Sequence, residues 1–296
     1  MTARFMLLMM TALIGLIWAA GIPADGPAGS ENLRLGSNPA IQVFGSAPLV
    51  MVPEEPAPSR IDMVLAHYNG VQPRQWGEAV TGVAYALDTN DKILALTFDL
   101  CGGSTRANGY DAEMVGYLED ARIPATFFVS GAWIDANPGL FRHLAANSRF
   151  EIGNHGSEHR PLSTNGRQVY GITGTGSLKA AINEVEGNAA KIERLTGRRP
   201  QFYRSGTNYY DEVAVAAVRE LGYTVVGYSL LGDAGATYDR GQVKRVLLQA
   251  KPGSVAIMHA NHPESGTAEG VMAAVPLLLA NGYRFVSLSD CALLTY

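Results

Sequence analysis

The feature that most limits the fold of this chain is a repeated order of segments after residue 60. A short apolar run rich in β-branched and aromatic residues is followed by turn residues and then by a longer segment with helical periodicity. Because helices connect the successive runs, this order predicts crossover connections and a parallel α/β sheet. The seven predicted strands are residues 93–99, 125–129, 150–154, 201–204, 224–228, 254–259 and 283–288.

The segments between these runs are predicted to be helices, several of which begin with a capping residue or end before a glycine. Seven strands without a single glycine-rich nucleotide turn favour a closed or nearly closed barrel over the alternative, an open doubly wound sheet. The predicted helices are residues 111–121, 138–146, 178–196, 211–221, 242–250 and 267–280.

Composition excludes several classes of protein. Of the 296 residues, 47% are hydrophobic and 17% are charged, which is too apolar for a disordered chain. The net charge of -4 provides no basic surface for nucleic acid. Two cysteines cannot form a four-thiolate zinc site, so a metal would have to rely on histidine and carboxylate ligands.

The N-terminal residues indicate export. Arg4 precedes an apolar run from Phe5 to Ala20, which is shorter than the roughly 20 residues of a membrane span. We therefore interpret residues 1–24 as a signal peptide, with an uncleaved N-terminal anchor as the alternative, which would be the chain's one link to a membrane. Residues 25–60 are a Pro/Gly-rich linker, and residues 61–296 are a single catalytic domain. The domain is expected outside the cytoplasm, in the periplasm, in the cell envelope or secreted.

An exported chain permits a disulfide between its two cysteines. Cys101 follows the first predicted strand, and Cys291 closely follows the last one. These two strands are neighbours if the barrel closes. The sequence therefore predicts a Cys101–Cys291 disulfide.

Polar residues gather where the predicted strands end, which is the edge at which α/β barrels carry their chemistry. Four of the six histidines lie at this edge, whereas scattered histidines would lie anywhere. A pair with the spacing of His155 and His159 is a candidate metal site. The strand-end residues are Asp99, His155, His159, Arg204, Asp233, His259 and His262.

Five segments resemble, in order, the motifs of the polysaccharide deacetylase superfamily, also called the NodB-homology domain or carbohydrate esterase family four. They are LTFDLCGG (96–103), NHGSEH (154–159), FYRSG (202–206), the Asp233 segment GDAGAT, and IMHANHPESGTAEG (257–270). The resemblance implies a distorted (β/α)7 barrel that hydrolyses N-acetyl, sometimes O-acetyl, groups of a sugar polymer. It also implies a divalent metal cofactor, for which zinc is the expected ion.

The resemblance assigns a role to each matching residue. Asp99 matches the catalytic base, and His155 and His159 match metal ligands. Arg204 matches the residue that holds the base. His259 matches the catalytic acid, and Asp233 approximately matches its carboxylate partner. The implied enzyme is an exported, metal-dependent hydrolase of carbon–nitrogen bonds whose partner is an acetylated polysaccharide such as peptidoglycan or a chitin-like glycan.

One departure from the family pattern concerns the third metal ligand. Where the family has a second Asp after the base, this chain has Leu100, which cannot bind a metal. Asp99, Cys101 and His262 are other candidates. We favour His155, His159 and water, because recruiting Asp99 would remove the base and Cys101 is expected in a disulfide.

Two other functions remain open. Leu100 suggests a non-catalytic glycan-binding protein with a degenerate metal site. The residues from His155 to His159 also fit an inverted zinc-peptidase pattern with Glu158 as base, which requires a helix that Gly156 disfavours.

Overall fold

The computed structural model describes residues 57–296. The predicted signal peptide and almost all of the predicted linker lie outside the described residues. Within residues 57–296, no helix is both long enough and apolar enough to cross a lipid bilayer.

The described residues form alternating strands and helices, as the sequence predicts. The strands are β1 (Ala84–Leu87), β2 (Ile93–Leu100), β3 (Ala125–Val129), β4 (Phe150–Asn154), β5 (Gln168–Val169), β6 (Ile172–Thr173), β7 (Phe202–Tyr203), β8 (Thr224–Val225), β9 (Leu230–Leu231), β10 (Ser254–His259), β11 (Arg284–Val286) and β12 (Leu293–Thr295). The helices are α1 (Arg60–His67), α2 (Ala112–Asp120), α3 (Gly131–Ala136), α4 (Pro138–Ala146), α5 (Leu178–Thr196), α6 (Glu212–Glu220), α7 (Arg240–Leu247) and α8 (Thr267–Ala280).

The main sheet curls into a barrel-like shape, which confirms the predicted fold class. Its strand order is β12-β1-β10-β2-β3-β4-β7-β8, and the neighbours from β10 to β8 are parallel. A single bridge between Val226 and Ala84 links the chain after β8 to β1. The two ends of the parallel series therefore approach each other through β1.

The seventh strand differs from the prediction. The run at 283–288 gives only β11, which pairs with Ile93–Ala95 at the start of β2. It stops early because Ser287 donates its backbone N–H to the Asp290 carboxylate and begins a 3-10 helix. The remaining barrel position is taken by β1, which pairs antiparallel with β10. Strand β1 was not predicted, since its four residues, AYAL, carry a weak strand signal.

Helix bounds follow the sequence where caps are clear. Helices α4, α5 and α8 have the predicted bounds. Helix α7 begins two residues earlier than predicted because Asp239 and Gln242 form a reciprocal capping box.

Strand β2 is buried on both faces, and its alternation decides which side chains reach the barrel interior. Leu94, Leu96, Phe98 and Leu100 belong to the apolar cluster that contains residues of α2 and α8. Ile93 and Ala95 belong instead to the interior cluster with Phe128 and Val255. Asp99 therefore lies on the interior side, and Leu100 packs against the helix layer.

The predicted disulfide is not formed: neither cysteine is paired in the described part of the chain. Cys101 follows the carboxyl end of β2. Cys291 packs against the cluster containing Ile93, at the amino end of that strand. The eight residues of β2 separate these ends, whereas a disulfide needs Cα atoms about 4.4–6.8 Å apart. The prediction was wrong because β11 pairs with the first residues of β2 only.

The position of Leu100 leads to a stability prediction. Leu100→Asp places a carboxylate in the apolar layer rather than beside the histidines, so we expect the free energy of unfolding to fall by about 3 kcal/mol or more. The control is Leu279→Asp on α8, where the side chain is 47% exposed and a change of only a few tenths of a kcal/mol is expected. Urea denaturation measures the free energy of unfolding of both variants. Near-native stability of Leu100→Asp would contradict an orientation of this side chain toward the helix layer.

Candidate active site

A buried ion pair lies at the carboxyl ends of the parallel strands. The Arg204 Nη1 atom donates to Asp99 Oδ1 at 2.7 Å, and neither side chain is exposed by more than 4%. Nε and Nη2 of Arg204 donate to the backbone oxygens of Val226 and Gly227. Burial alone would raise the pKa of Asp99, but Arg204, His155 and His259 together outweigh it and hold that pKa below its usual value. Asp99 is therefore held as a carboxylate.

His155 is oriented by the backbone of Arg204. Its Nδ1–H donates to the Arg204 carbonyl oxygen at 3.0 Å. The other ring nitrogen, Nε2, lies 3.7 Å from Asp99 Oδ2 and 3.9 Å from Cys101 Sγ. A histidine whose Nδ1 is fixed in this way presents Nε2 as a metal ligand.

His159 occupies a constrained loop. Its backbone has φ 60°, in the left-handed region that few non-glycine residues adopt. Its Nε2 atom is buried and finds no hydrogen-bond partner among residues 57–296. A buried ring nitrogen without a partner is costly unless something binds it. The geometry therefore calls for a ligand at His159 Nε2.

The buried carboxylate of Glu184, on α5, anchors the backbone of this loop. Its Oε1 atom accepts the backbone N–H groups of Glu158 and Arg160, which flank His159. Burial raises the pKa of Glu184, against the effect of these two hydrogen bonds. Glu184 was not among the predicted site residues, since a lone Glu within a helical pattern carries no signal of such a role.

Cys101 completes a group of three metal-ligating side chains. Ligand atoms of Cys101, His155 and His159 all lie within 4.8 Å of one another. Burial would raise the pKa of the Cys101 thiol, but His159 and His155 outweigh it and hold that pKa well below its usual value. A thiolate with two imidazoles is a donor set that suits zinc. These residues fit a divalent metal.

This group revises the ligand set favoured from the sequence. We favoured His155, His159 and water, partly because Cys101 was expected in a disulfide. The free Cys101 thiol now occupies the third position. His262, another candidate, pairs instead with the Glu264 carboxylate at 3.1 Å.

His259 and Asp233 form a second polar pair at the same edge. Strand β9 runs parallel to β10, which brings Asp233 level with His259. Asp233 accepts from His259 Nδ1 at 3.0 Å, from the His259 backbone N–H at 2.7 Å and from the Thr267 hydroxyl at 3.0 Å. Burial opposes the imidazolium, but the Asp233 carboxylate outweighs it and raises the pKa of His259 well above its usual value.

One cavity of about 450 Å³ reaches these groups. Asp99, Cys101, His159 and His259 all line it. The structure thus brings the predicted base, the predicted acid and two of the three candidate metal ligands to a single opening, with His155 buried behind them. An acid, a base and a metal group around one opening can hydrolyse an acyl bond.

The structure does not support the zinc-peptidase alternative. Residues 155–159 form a loop rather than a helix. The Glu158 side chain is 65% exposed and pairs with Arg160 Nε at 2.8 Å. Glu158 is therefore turned to solvent and is not placed as a base.

The close packing of Gly206 against His159 generates a prediction. A Cβ atom at Gly206 would overlap the His159 carbonyl carbon, which is backbone and cannot move aside cheaply. We expect Gly206→Ala to displace His159 and to lower zinc affinity by about tenfold or more. Gly139→Ala on α4, where a Cβ meets nothing within 4 Å, should leave affinity unchanged. Competition with a chromogenic chelator measures both; equal affinities in the two variants would contradict this packing.

Comparisons with known proteins agree with the fold. Residues 86–226 match the family model described as Polysaccharide deacetylase. Peptidoglycan-N-acetylmuramic acid deacetylase PdaA of Bacillus subtilis is 24% identical over 257 residues, which are 83% of this chain and 89% of PdaA. The solved structure of PdaA, a family 4 carbohydrate esterase, has a TM-score of 0.59 at 22% identity and covers 80% of this chain and 90% of its own.

Two further similar proteins are a longer deacetylase and a pseudoenzyme. Peptidoglycan-N-acetylglucosamine deacetylase PgdA of Listeria monocytogenes is 25% identical over 243 residues, 81% of this chain but 48% of PgdA. A CE4 family pseudoenzyme from Bacillus anthracis has a TM-score of 0.59 at 19% identity and covers 73% of this chain and 69% of its own. The family model, the named relatives and the barrel agree: residues 86–226 match the polysaccharide deacetylase family, and the chain is similar to carbon–nitrogen hydrolases of that family.

Proposed function

We propose that this chain is an exported, metal-dependent hydrolase that removes acetyl groups from N-acetylated sugars of a polysaccharide such as peptidoglycan or a chitin-like glycan. The observation that carries the proposal is the group of Cys101, His155 and His159 beside Asp99 and His259 at one cavity. Amide hydrolysis needs an activated water, a polarised carbonyl and a proton for the leaving amine. The residues around the cavity can supply each of these.

Cys101, His155 and His159 would hold the metal, which we propose to be zinc. A bound zinc ion would polarise the acetyl carbonyl and lower the pKa of water at the site. Buried His155 is fixed for this role by the Arg204 carbonyl oxygen. His159 is fixed by the loop that Glu184 holds.

Asp99 is the proposed base. As a carboxylate paired with Arg204, it takes one proton from the water whose oxygen attacks the acetyl carbon. His259 is the proposed acid, because Asp233 binds its Nδ1 and favours the imidazolium. As the carbon–nitrogen bond breaks, His259 gives its Nε2 proton to the sugar nitrogen. The products are acetate and a free amine.

Export and substrate class rest on different observations. The apolar run from Phe5 to Ala20 favours export to the periplasm, cell envelope or medium. PdaA and PgdA are named for peptidoglycan, which lies outside the cytoplasm and whose glycan strands contain N-acetylated sugars. Both observations support an extracytoplasmic glycan as the substrate.

One prediction of this proposal concerns the metal. We expect purified protein to bind about one zinc ion per chain and Cys101→Ser to lower zinc affinity by at least about tenfold, because a hard hydroxyl replaces a thiolate ligand. His155→Ala with His159→Ala should abolish binding. Cys291→Ser is the matched control and should behave as wild type. Elemental analysis after chelator dialysis decides the matter: unchanged zinc in Cys101→Ser would exclude a thiolate ligand.

Another prediction concerns the division of roles between Asp99 and His259. Asp99→Asn should reduce acetate release from chitotetraose by about 10²- to 10⁴-fold while zinc stays bound. His259→Ala should cost far less on an aryl acetate, whose leaving group needs no proton, than on chitotetraose. Asp120→Asn, at an exposed end of α2, is the control.

Three results would contradict these roles. Equal losses on the two substrates would exclude His259 as the leaving-group acid. Loss of zinc in Asp99→Asn would make Asp99 a ligand instead of the base. Zinc binding without acetate release by the wild type on any acetylated glycan would favour the alternative, a non-catalytic glycan-binding protein.

A further inference from the structure

Helix α8 belongs to the outer layer of the barrel, yet much of it has no polar side chain. Residues 270–280 read GVMAAVPLLLA. Val275 and Leu278 of this run are buried in the core, whereas Leu277 and Leu279 are 41% and 47% exposed. A surface helix normally turns polar side chains to solvent, and an exposed apolar surface marks a site of interaction. The outer side of α8 therefore indicates a partner.

The end of α8 meets the end of α7 and the start of β2. The Tyr283 hydroxyl, just after α8, donates to the backbone oxygen of Ala250, just after α7, at 2.5 Å. Lys92 Nζ, just before β2, donates to the Asn281 backbone oxygen at 3.1 Å. Leu248, which ends α7, is 38% exposed. These three chain segments therefore form one continuous surface at the amino ends of the strands.

Cationic side chains surround the exposed leucines of this surface. All of them are exposed except Lys244, which is half-buried. Two carboxylates, Asp88 and Asp91, lie beside them, and Asp91 approaches Arg284 Nη2 at 3.9 Å. The local charge is therefore positive, although the net charge of the chain is -4. We call this surface the amino-end patch; it consists of Leu248, Leu277, Leu279, Lys92, Lys244, Arg245, Lys251 and Arg284.

The composition of the amino-end patch limits which partner fits it. A second copy of the chain would bring the same positive charges to the contact, and like charges repel. A soluble polyanion would pair with the cations but would leave the leucines in water. A bilayer with acidic phospholipids offers anionic headgroups and, directly beneath them, an apolar layer. Lysine and arginine beside exposed leucine therefore match such a bilayer best.

The amino-end patch and the candidate active site lie at opposite ends of the barrel. Strand β2 runs from Lys92, in the patch, to Asp99, in the cavity. Strand β10 likewise begins close to Lys251 and ends at His259. A bilayer in contact with the patch would therefore leave the cavity open on the side that faces away from the membrane.

We propose that the amino-end patch docks the protein on the surface of a bilayer that contains acidic phospholipids. The leucines enter the boundary between headgroups and acyl chains, and the cations bind the phosphates of the headgroups. The contact is peripheral, because only side chains at the surface of the barrel take part. It adds a second membrane contact to the one that the N-terminal segment would provide, and it does not depend on the proposed function.

An environment-sensitive fluorophore on an introduced cysteine tests this contact in the full chain, whatever the N-terminal segment binds. The label is placed at Ala280→Cys beside the patch or at Ala112→Cys, an exposed control position at the opposite end of the barrel, both in a Cys291→Ser background. Vesicles of phosphatidylcholine with about 30% phosphatidylglycerol should shift the emission at position 280 to the blue. Brominated acyl chains should quench it. Position 112 should show neither effect, and phosphatidylcholine alone should give a much smaller shift at position 280.

Two variants, read through the label at position 280, separate the apolar and the cationic contributions. Leu277→Ser with Leu279→Ser should weaken vesicle binding by about tenfold, because less apolar area enters the bilayer. Arg245→Gln with Lys251→Gln should weaken it by about tenfold or more, because each cation near an anionic surface contributes a factor of about five.

A matched control makes the same change of charge at the other end of the barrel. Lys179→Gln with Arg240→Gln removes two exposed cations at the amino ends of α5 and α7. Because these positions lie far from the amino-end patch, this variant should bind vesicles as the labelled parent protein does.

Three results would overturn the docking proposal. The first is the absence of a blue shift at position 280 with acidic vesicles, and the second is an equal shift at positions 280 and 112. The third is binding that needs the cations but not the leucines and that soluble polyphosphate abolishes, since a polyanion would then be the partner. Docking as expected by a protein that releases no acetate would support the patch and overturn only the proposed function.

Discussion

The architecture of the site depends on the buried ion pair between Arg204 and Asp99. Removing a guanidinium from water is costly, and the cost is offset only if every donor is satisfied. Each of the three Arg204 side-chain nitrogens donates to an acceptor, namely Asp99 or the backbone oxygen of Val226 or Gly227, and the ring of Phe128 lies 4.2 Å from its Cζ atom. These partners come from three different parts of the barrel. The Arg204 side chain therefore fixes the position of Asp99 relative to the strands around it.

The same residue also orients one of the candidate metal ligands. Its carbonyl oxygen fixes Nδ1 of His155, which leaves Nε2 for the cluster with Cys101 and His159. Gly227, whose carbonyl accepts from Arg204, donates its own N–H to Ala84 of β1. Barrel closure, base orientation and ligand orientation are therefore coupled. This coupling brings the three candidate ligands together although Leu100 is not one of them.

The backbone at the end of β2 explains why Cys101, and not Leu100, lies beside the two histidines. The strand continues through Leu100, so alternation turns Asp99 inward and Leu100 toward the helices. Cys101 is the first residue after the strand, where the backbone is free to turn back toward the histidines. A carboxylate at position 100 would face the apolar layer in this backbone. We propose the thiolate at 101 as the third ligand, at a position that leaves the core undisturbed.

Much of this arrangement could be predicted from the sequence, because strand-helix alternation and the strand-end positions of Asp99, His155 and His259 are local signals. The parallel strands from β2 to β10 follow from them, whereas the closing strand β1 does not. The disulfide prediction was wrong because β11 pairs only with the start of β2. That pairing depends on tertiary packing, which the sequence pattern does not show. The role of Cys101 was obscured by that error. Glu184 acts through burial and two hydrogen bonds to backbone N–H groups, for which a sequence carries no pattern.

Cys101, His155 and His159 form, in our interpretation, one metal centre held in place by Arg204. X-ray absorption at the zinc edge of the loaded protein tests this centre most directly, because sulfur and nitrogen ligands are distinguished by distance. We predict one sulfur at about 2.3 Å and two imidazole nitrogens at about 2.0–2.1 Å. A first shell of nitrogen and oxygen alone would contradict a thiolate-containing centre.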